Sequence, residues 1–196
     1  MDEKACFPYD SFMSMRLFLA VPLPVAVRDA LADVMSQMRR SVRARVRWAP
    51  PDGIHATLHF LGQHDDSMVS RLDERIAPLA GQFHAVEARL SSVGFFPDAA
   101  HPRVVWVGME ETGGTLLAMR DRLGREIHEL GLEVDPRPWS PHLTLARLDV
   151  PLPSSAFVAT VPDVRFLVDR FCLFRSDLTP GGAAYTELRR YPLTAV

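Results

Sequence analysis

Lysine is almost absent from this sequence, since Lys4 is the single lysine among its 22 Lys and Arg residues. The 24 Asp and Glu residues bring the formal net charge to −2. This balance excludes a protein that binds nucleic acid through overall positive charge. The planar guanidinium group of arginine suits phosphate, although a GC-rich genome is the favoured explanation of the bias as a whole.

Cysteine is also scarce, with two residues, Cys6 and Cys172, far apart in the chain. Their separation and unlike sequence contexts indicate neither a disulfide framework nor a thiolate metal site. Cys172 lies in an apolar segment and is predicted to be a small buried hydrophobic residue.

No apolar run approaches the roughly 20 residues that are needed to span a bilayer. The first four residues, Met-Asp-Glu-Lys, do not have the layout of a signal peptide, so a cytoplasmic protein is expected. The content of 47% hydrophobic and 23% charged residues is typical of a globular domain.

The chain is expected to form one bilobal domain over residues 15–196, preceded by a flexible extension over residues 1–14. Apolar residues at helical spacing predict three helices, at 26–40, 68–79 and 116–130, the last ended by Gly131. Strands are predicted at residues 16–21, 46–48, 54–61, 85–93, 104–107, 132–134, 142–146, 163–168, 170–176 and 185–190. This order predicts an α+β fold in which helices cover the outer faces of two antiparallel sheets.

A weak internal repeat is the most informative feature of the sequence. Each copy has a tryptophan and a proline, followed by His-x-Thr-Leu on an apolar strand; the copies contain His55 with Thr57 and His142 with Thr144. Residues two apart on a strand point to the same side. If a pseudo-twofold axis relates the two halves, both imidazoles and both hydroxyls converge on one central cleft.

Two histidines and two threonines suit the cleavage of a cyclic phosphodiester. The reaction needs a base that activates water and an acid that protonates the leaving oxygen, and histidine performs either role near neutral pH. Threonine hydroxyls can donate hydrogen bonds to the non-bridging phosphate oxygens. A zinc site is the competing interpretation, but the sequence has neither His-Glu-x-x-His nor a nearby set of acidic or cysteine ligands, so no metal or other cofactor is expected.

At these residues the sequence resembles the two-histidine phosphoesterase superfamily. Within it, the chain is similar to the RNA 2',3'-cyclic phosphodiesterases, a LigT-like family also called 2'-5' RNA ligases. The resemblance runs from residue 16 to about residue 193. It rests on residues 16–21, 47–48, 55–62, 103–108, 141–147, 173–176 and 182–188.

The resemblance implies hydrolysis of an RNA 2',3'-cyclic phosphate to a 2'-phosphate without metal. It implies that His142 activates water, that His55 protonates the departing 3'-oxygen, and that Thr57 and Thr144 hold the phosphate. Arg147 matches a family arginine and is expected to contact phosphate or ribose, although a solvated arginine at a strand end is an alternative. The family also implies reversible 2'-5' RNA ligation by the same chemistry. The expected partners are RNA ends or small nucleotides with a 2',3'-cyclic phosphate, and the expected state is a monomer that does not bind membranes.

Two other functions remain open from the sequence. One is a phosphodiesterase for small cyclic nucleotides or ADP-ribose cyclic phosphate, and the other is a non-catalytic nucleotide-binding module, against which the presence of both His-x-Thr pairs argues. Phe60, Trp48 and Trp139 are candidates for stacking on a base, but packing in the core is the favoured interpretation of each. Tyr185 follows a Gly-Gly turn and is a candidate for the edge of the cleft.

Overall fold

The computed structural model describes residues 14–150, 152–179 and 182–195, so most of the predicted extension and Cys6 lie outside the described residues. These residues form three helices and nine strands, which confirms the α+β class. The helices are α1 (Val25–Ser41), α2 (Asp66–Ala80) and α3 (Thr115–Glu129). The strands are β1 (Met15–Pro22), β2 (Arg47–Trp48), β3 (His55–His64), β4 (Val86–Phe96), β5 (Val104–Glu111), β6 (His142–Arg147), β7 (Arg165–Val168), β8 (Arg170–Thr179) and β9 (Gly182–Pro192).

The two predicted sheets are joined into one antiparallel sheet in the order β7-β4-β5-β6-β3-β1-β8-β9, with β2 paired to β6. The two strands at its centre, β3 and β6, carry the two His-x-Thr motifs. They are aligned at a single pair of residues, Ala56 and Leu143. We call this pairing the seam; it joins the two halves of the sheet. A pseudo-twofold relation between the halves stays a prediction.

The two sides of the central strands differ in burial. In β3, Ala56 and Leu58 are buried whereas His55 and Thr57 are partly accessible, and β6 shows the same alternation. Helices cover the buried side. Helix α3 packs closely against β3 at Gly124, where an added Cβ atom would lie only 3.1 Å from the His59 imidazole. The motif residues therefore lie on the side of the sheet away from the helices.

The sequence of helix α1 explains both its buried face and the residues at which it begins and ends. Pro22 and Pro24 end β1, and the Pro24 carbonyl accepts the first turn's amide hydrogen bonds. Arg39 and Arg40 lie in the last turn, where positive charge complements the helix dipole. The stripe is buried as predicted, at Val27, Leu31, Val34, Met35 and Met38.

Helix α3 ends in a Schellman motif, and this motif makes the strand predicted at residues 132–134 wrong. Gly131 has a φ of 80° and donates to the His128 carbonyl, while the Leu132 amide donates to the Ile127 carbonyl. The short apolar pattern after Gly131 therefore belongs to the end of the helix, and residues 132–137 form no strand.

Cys172 is fully buried, as predicted. Burial, with the neighbouring Glu187 carboxylate, raises the pKa of its thiol to about 12. Within the described ranges, no helix has the length and apolar character required to cross a membrane.

The Schellman motif gives a prediction with a matched control. Gly131→Ala forces an alanine into the left-handed region, so we expect the free energy of unfolding to fall by about 1–2 kcal/mol. Gly81, which ends α2, has an ordinary helical φ of −68° and free space around its Cβ position. Gly81→Ala should therefore leave stability unchanged or raise it slightly. Urea unfolding followed by circular dichroism measures both, and equal effects would contradict this account of the helix end.

Candidate active site

The seam places four motif side chains in a compact group. Continuing its antiparallel register sets His55 opposite Thr144 and Thr57 opposite His142, all on the side away from Ala56 and Leu143. The two imidazoles therefore occupy diagonal corners of a square, and the two hydroxyls occupy the other diagonal. In a regular antiparallel pair, diagonal neighbours lie roughly 7–8 Å apart. The prediction that histidine and threonine of each motif point to the same side of their strand is confirmed.

Both imidazoles are held in the same way. His55 Nδ1 lies 2.7 Å from the Gly53 carbonyl oxygen, and His142 Nδ1 lies 2.8 Å from the Ser140 carbonyl oxygen. Because a carbonyl oxygen only accepts hydrogen bonds, each Nδ1 carries the proton and donates. Nε2 of each ring is then the nitrogen that is left to accept or deliver a proton.

The residues just before each motif explain these contacts. Gly53 ends a short 3₁₀ turn that begins at Pro51. The Tyr185 ring packs closely against Gly53, since a Cβ atom at that position would lie 3.2 Å from the ring. On the other strand, Pro141 restricts Ser140 to an extended conformation. In each copy, the carbonyl that holds the histidine belongs to the residue two positions earlier.

Aromatic rings surround each imidazole. The His55 ring lies 4.8 Å from that of Phe18 and 5.0 Å from that of Tyr185, with the tyrosine perpendicular to it. The His142 ring lies 4.9 Å from that of Phe96, also edge to face, and 6.0 Å from that of Trp106. These contacts fix the ring planes and withdraw both imidazoles from water.

Burial lowers the pKa of both histidines. For His55 the loss of hydration is the largest cause and lowers the pKa to about 4, opposed by the Gly53 hydrogen bond and helped by the charges of His142 and Arg147. Burial likewise lowers the pKa of His142, with the Ser140 hydrogen bond opposing and Arg147 adding to the effect. Both imidazoles are therefore neutral at pH 7 when the site holds no anion.

A β-bulge turns Arg147 toward this group. Consecutive residues of β5 pair with Thr144 and Ala146, so Leu145 is an extra residue in β6. Arg147 stands three residues after Thr144, so in a regular strand the two side chains would point to opposite sides of the sheet. Because Leu145 is an extra residue, Arg147 points to the same side as Thr144. Its exposed position and its effect on both histidine pKa values agree with this placement.

Arg147 differs from the neighbouring arginine in its ionic contacts. Arg47, its partner across β2 and β6, forms an ion pair of 2.6 Å with Asp149. Among the residues that the structure describes, no carboxylate forms an ion pair with Arg147. Its charge is thus available to an anion at the site.

The same bulge occurs in β3 and exposes Phe60. Consecutive residues of β1 pair with Thr57 and His59, which leaves Leu58 as the extra residue and turns His59 into the core. Phe60 then lies on the motif side with 67% of its surface exposed, so the favoured core interpretation of Phe60 was wrong. Trp48 and Trp139 do pack against the core, as predicted.

Sequence reasoning placed the four motif residues but missed their surroundings. Tyr185 was named as a candidate for the cleft edge, and it does lie against His55. Phe18 and Phe96 were not named, because their strands have no pattern that indicates which residues face another strand's histidine. In the described part of the chain, no group of three or more His, Cys, Asp or Glu side chains is arranged to bind a metal ion.

The hydrogen bonds and burial of the histidines give a prediction for solution NMR. In long-range ¹H–¹⁵N spectra, His55 and His142 should both be the Nδ1-protonated tautomer, with pKa values below 6.5. Inorganic phosphate should raise both pKa values, since an anion favours the charged imidazole. Spectra of His55→Ala and His142→Ala assign the signals, and an Nε2-protonated tautomer in either ring would contradict the arrangement.

Comparison with known proteins identifies the family of this chain. The sequence pattern of the 2'-5' RNA ligase superfamily matches residues 25–180. An RNA 2',3'-cyclic phosphodiesterase of Thermus thermophilus is 36% identical over 192 residues, covering 91% of this chain and 90% of the relative. One from Archaeoglobus fulgidus is 30% identical, covering 89% and 98%.

Solved structures show the same fold. A crystal structure of a Thermus thermophilus protein has a TM-score of 0.80 at 31% identity and covers 92% of this chain and 99% of that one. The structure of E. coli LigT complexed with 3'-AMP has a TM-score of 0.77 at 26% identity, with the same coverage. The chain belongs to the 2'-5' RNA ligase superfamily, with the RNA 2',3'-cyclic phosphodiesterases among its relatives.

Proposed function

We propose that this protein hydrolyses 2',3'-cyclic phosphate ends of RNA to 2'-phosphates, with His55 and His142 as a metal-independent acid–base pair. One observation carries the proposal: two imidazoles with the same tautomer lie at diagonal corners, each with Nε2 left for proton transfer. A nucleophile and a leaving group on opposite sides of phosphorus require two such groups. The names of the relatives support the substrate class.

The chemical step needs one water and two proton transfers. Nε2 of His142 takes a proton from water as the water oxygen forms a bond to phosphorus. The bond between phosphorus and the 3'-oxygen breaks, and that oxygen takes the proton from Nε2 of His55. The products are a 2'-phosphate and a free 3'-hydroxyl. The opposite assignment of the two histidines describes the reverse reaction.

Thr57, Thr144 and Arg147 stabilise the phosphate in this proposal. The two hydroxyls lie on the diagonal that crosses the line between the imidazoles, where they can donate to the two non-bridging oxygens. The Arg147 guanidinium adds positive charge on the same side of the sheet. Fixed donors aimed at a charged transition state in a partly dehydrated site are a major source of rate enhancement.

In this mechanism the bound substrate must raise the lowered pKa of His55. A general acid must be protonated, yet His55 is neutral at pH 7 in the empty site. The negative charge of the bound phosphodiester raises the pKa of the imidazoles beside it. Binding of the substrate therefore favours protonation of His55, and this proton is later transferred to the leaving oxygen.

The exposed face of Phe60 supports RNA as the substrate. Its ring lies on the motif side of β3, at the position that corresponds to Arg147 on β6, and it is 6.3 Å from the Phe18 ring that contacts His55. We infer that the base next to the cyclic phosphate stacks on Phe60, since stacking on an aromatic ring is a common mode of single-stranded RNA binding. A mononucleotide 2',3'-cyclic phosphate fits the same contacts, so it serves as a comparison substrate.

Ligation follows from the same arrangement. When the hydroxyl of a second RNA end replaces water, one imidazole removes its proton and the other protonates the departing 3'-oxygen. The product is a 2'-5' phosphodiester. Because water is in vast excess, hydrolysis should dominate unless two RNA ends are held together.

The first test uses an oligoribonucleotide that ends in a 2',3'-cyclic phosphate, incubated with the protein and EDTA. We expect a 2'-phosphate product, and a loss of about 10²- to 10⁴-fold in rate in His55→Ala and in His142→Ala, because each removes one proton-transfer group. His101→Ala is the matched control, since that histidine is 78% exposed in a loop. Gel mobility and ³¹P NMR identify the product.

Three outcomes would contradict parts of this proposal. Activity that EDTA abolishes would exclude the metal-independent mechanism. A 3'-phosphate product would overturn the leaving group assigned to His55. Faster turnover of a mononucleotide cyclic phosphate than of the oligonucleotide would replace RNA with a small nucleotide as the substrate.

The pKa directions predict the pH dependence. The active form has one neutral and one protonated imidazole, so it is most populated between the two macroscopic pKa values. Because both values are lowered, the maximum of kcat/KM should lie below pH 6.5. The maximum of kcat should lie at higher pH, since bound phosphate raises both values. A kcat/KM profile that is flat between about pH 5 and pH 8 would count against histidine acid–base catalysis.

A further inference from the structure

The two candidate catalytic histidines lie on strands that share very little backbone pairing. Beyond Ala56 and Leu143, β3 continues along β1 while β6 continues along β5 and β2. Each histidine is held by a backbone carbonyl from its own half, at Gly53 for His55 and at Ser140 for His142. The distance between the two histidines therefore depends on the seam and on any side chain that crosses it.

Trp139 crosses the seam with a hydrogen bond to the other motif. Its indole Nε1 donates to the Thr57 carbonyl oxygen at 3.0 Å. Trp139 stands three residues before His142, and Thr57 stands two residues after His55. The bond thus ties the approach to one motif to the backbone of the other, within a few residues of both histidines.

The indole is itself fixed by helix α3. The guanidinium of Arg120 lies over the Trp139 ring, 5.8 Å from its centroid. Arg120 is buried, with 8% of its surface exposed, and its Nη2 donates to the Asp135 carbonyl at 3.1 Å. Its own carbonyl accepts a hydrogen bond of 2.7 Å from Nε2 of the buried His59 on β3. Arg120 thus contacts both halves of the site, through His59 on β3 and through the indole of Trp139 in the segment that precedes β6.

We propose that the Trp139 indole N–H is a positioning group, which sets the separation of His55 and His142 across the seam. The inference rests on the proposed function of the two histidines. Trp139 is not a catalytic residue, because the one hydrogen-bond donor of its side chain is used by the Thr57 carbonyl. Proton transfer from two fixed sites depends steeply on their separation, whereas binding of the substrate depends on it less.

The test is Trp139→Phe, which keeps an aromatic ring and removes the N–H donor, with Trp48→Phe as the matched control. Trp48 is also half-buried, but it packs against Phe157 and Arg39 away from the seam. We expect kcat for the cyclic phosphate to fall on the order of 10- to 100-fold in Trp139→Phe with KM little changed. Trp48→Phe should retain kcat.

A double-mutant cycle separates positioning from general destabilisation. If Trp139 acts by placing the two imidazoles, Trp139→Phe should cause no further loss in the His142→Ala background, because the pair is already broken. An equal loss in both backgrounds, or equal kcat in the two tryptophan variants, would overturn the inference. Should Trp139→Phe fail to fold, benzothienylalanine at position 139 replaces the N–H with sulfur at nearly constant volume.

A second measurement does not depend on activity. In the intact protein the charge of His142 lowers the pKa of His55, so their NMR titrations should be coupled. Trp139→Phe should change that coupling and Trp48→Phe should not; unchanged coupling in Trp139→Phe would overturn the inference. If the unmodified protein fails to cleave the cyclic phosphate, the proposed function fails, and the titration still decides whether Trp139 positions the two histidines.

Discussion

The antiparallel seam between Ala56 and Leu143 is the contact on which the candidate active site depends. It sets each histidine opposite the threonine of the other motif, and it directs the apolar partners of all four residues into the core. A shift by one residue would turn one motif into the core and expose its apolar side chains. The burial of Ala56 and Leu143 therefore stabilises the same register that forms the site.

Burial of the two histidines opposes the protonation that one of them needs in the proposed mechanism. Aromatic rings from β1, β4, β5 and β9 surround the imidazoles, and burial lowers both histidine pKa values. Both imidazoles of an empty site are thus neutral at pH 7, and in the proposed mechanism a bound anion restores the proton that the leaving oxygen takes. In the described part of the chain, backbone carbonyls rather than carboxylates accept the hydrogen bonds that orient both rings.

Much of this site could be predicted from the sequence, because the period of a strand is local information. The spacing of His55 and Thr57, and its repetition at His142 and Thr144, was sufficient to place each pair on one side of its own strand, whereas the pairing of the two strands was not a local signal. The carbonyls that orient the histidines, at Gly53 and Ser140, both lie two residues before the histidine. This common spacing is part of the repeat, but the hydrogen bonds themselves were not predicted from it.

Other features depend on contacts between distant segments. The bulges after Thr57 and Thr144 break the alternation of the strands, so Phe60 was wrongly assigned to the core and the side on which Arg147 lies had no local signal. The strand expected at residues 132–134 failed because its apolar residues belong to the end of a helix. The hydrogen bond from Trp139 to Thr57 joins residues 82 positions apart. Neither the bond nor the joining of the two sheets has a counterpart in local periodicity.

The central claim is that the two imidazoles act on opposite sides of one phosphorus atom. Its most direct test is the stereochemistry of hydrolysis, with one diastereomer of a 2',3'-cyclic phosphorothioate as the substrate in ¹⁸O-labelled water. A single displacement by water, with His55 opposite His142, predicts a 2'-phosphorothioate that carries one ¹⁸O and has inverted configuration at phosphorus. Retention of configuration would show two successive displacements through a covalent intermediate, and it would contradict the account.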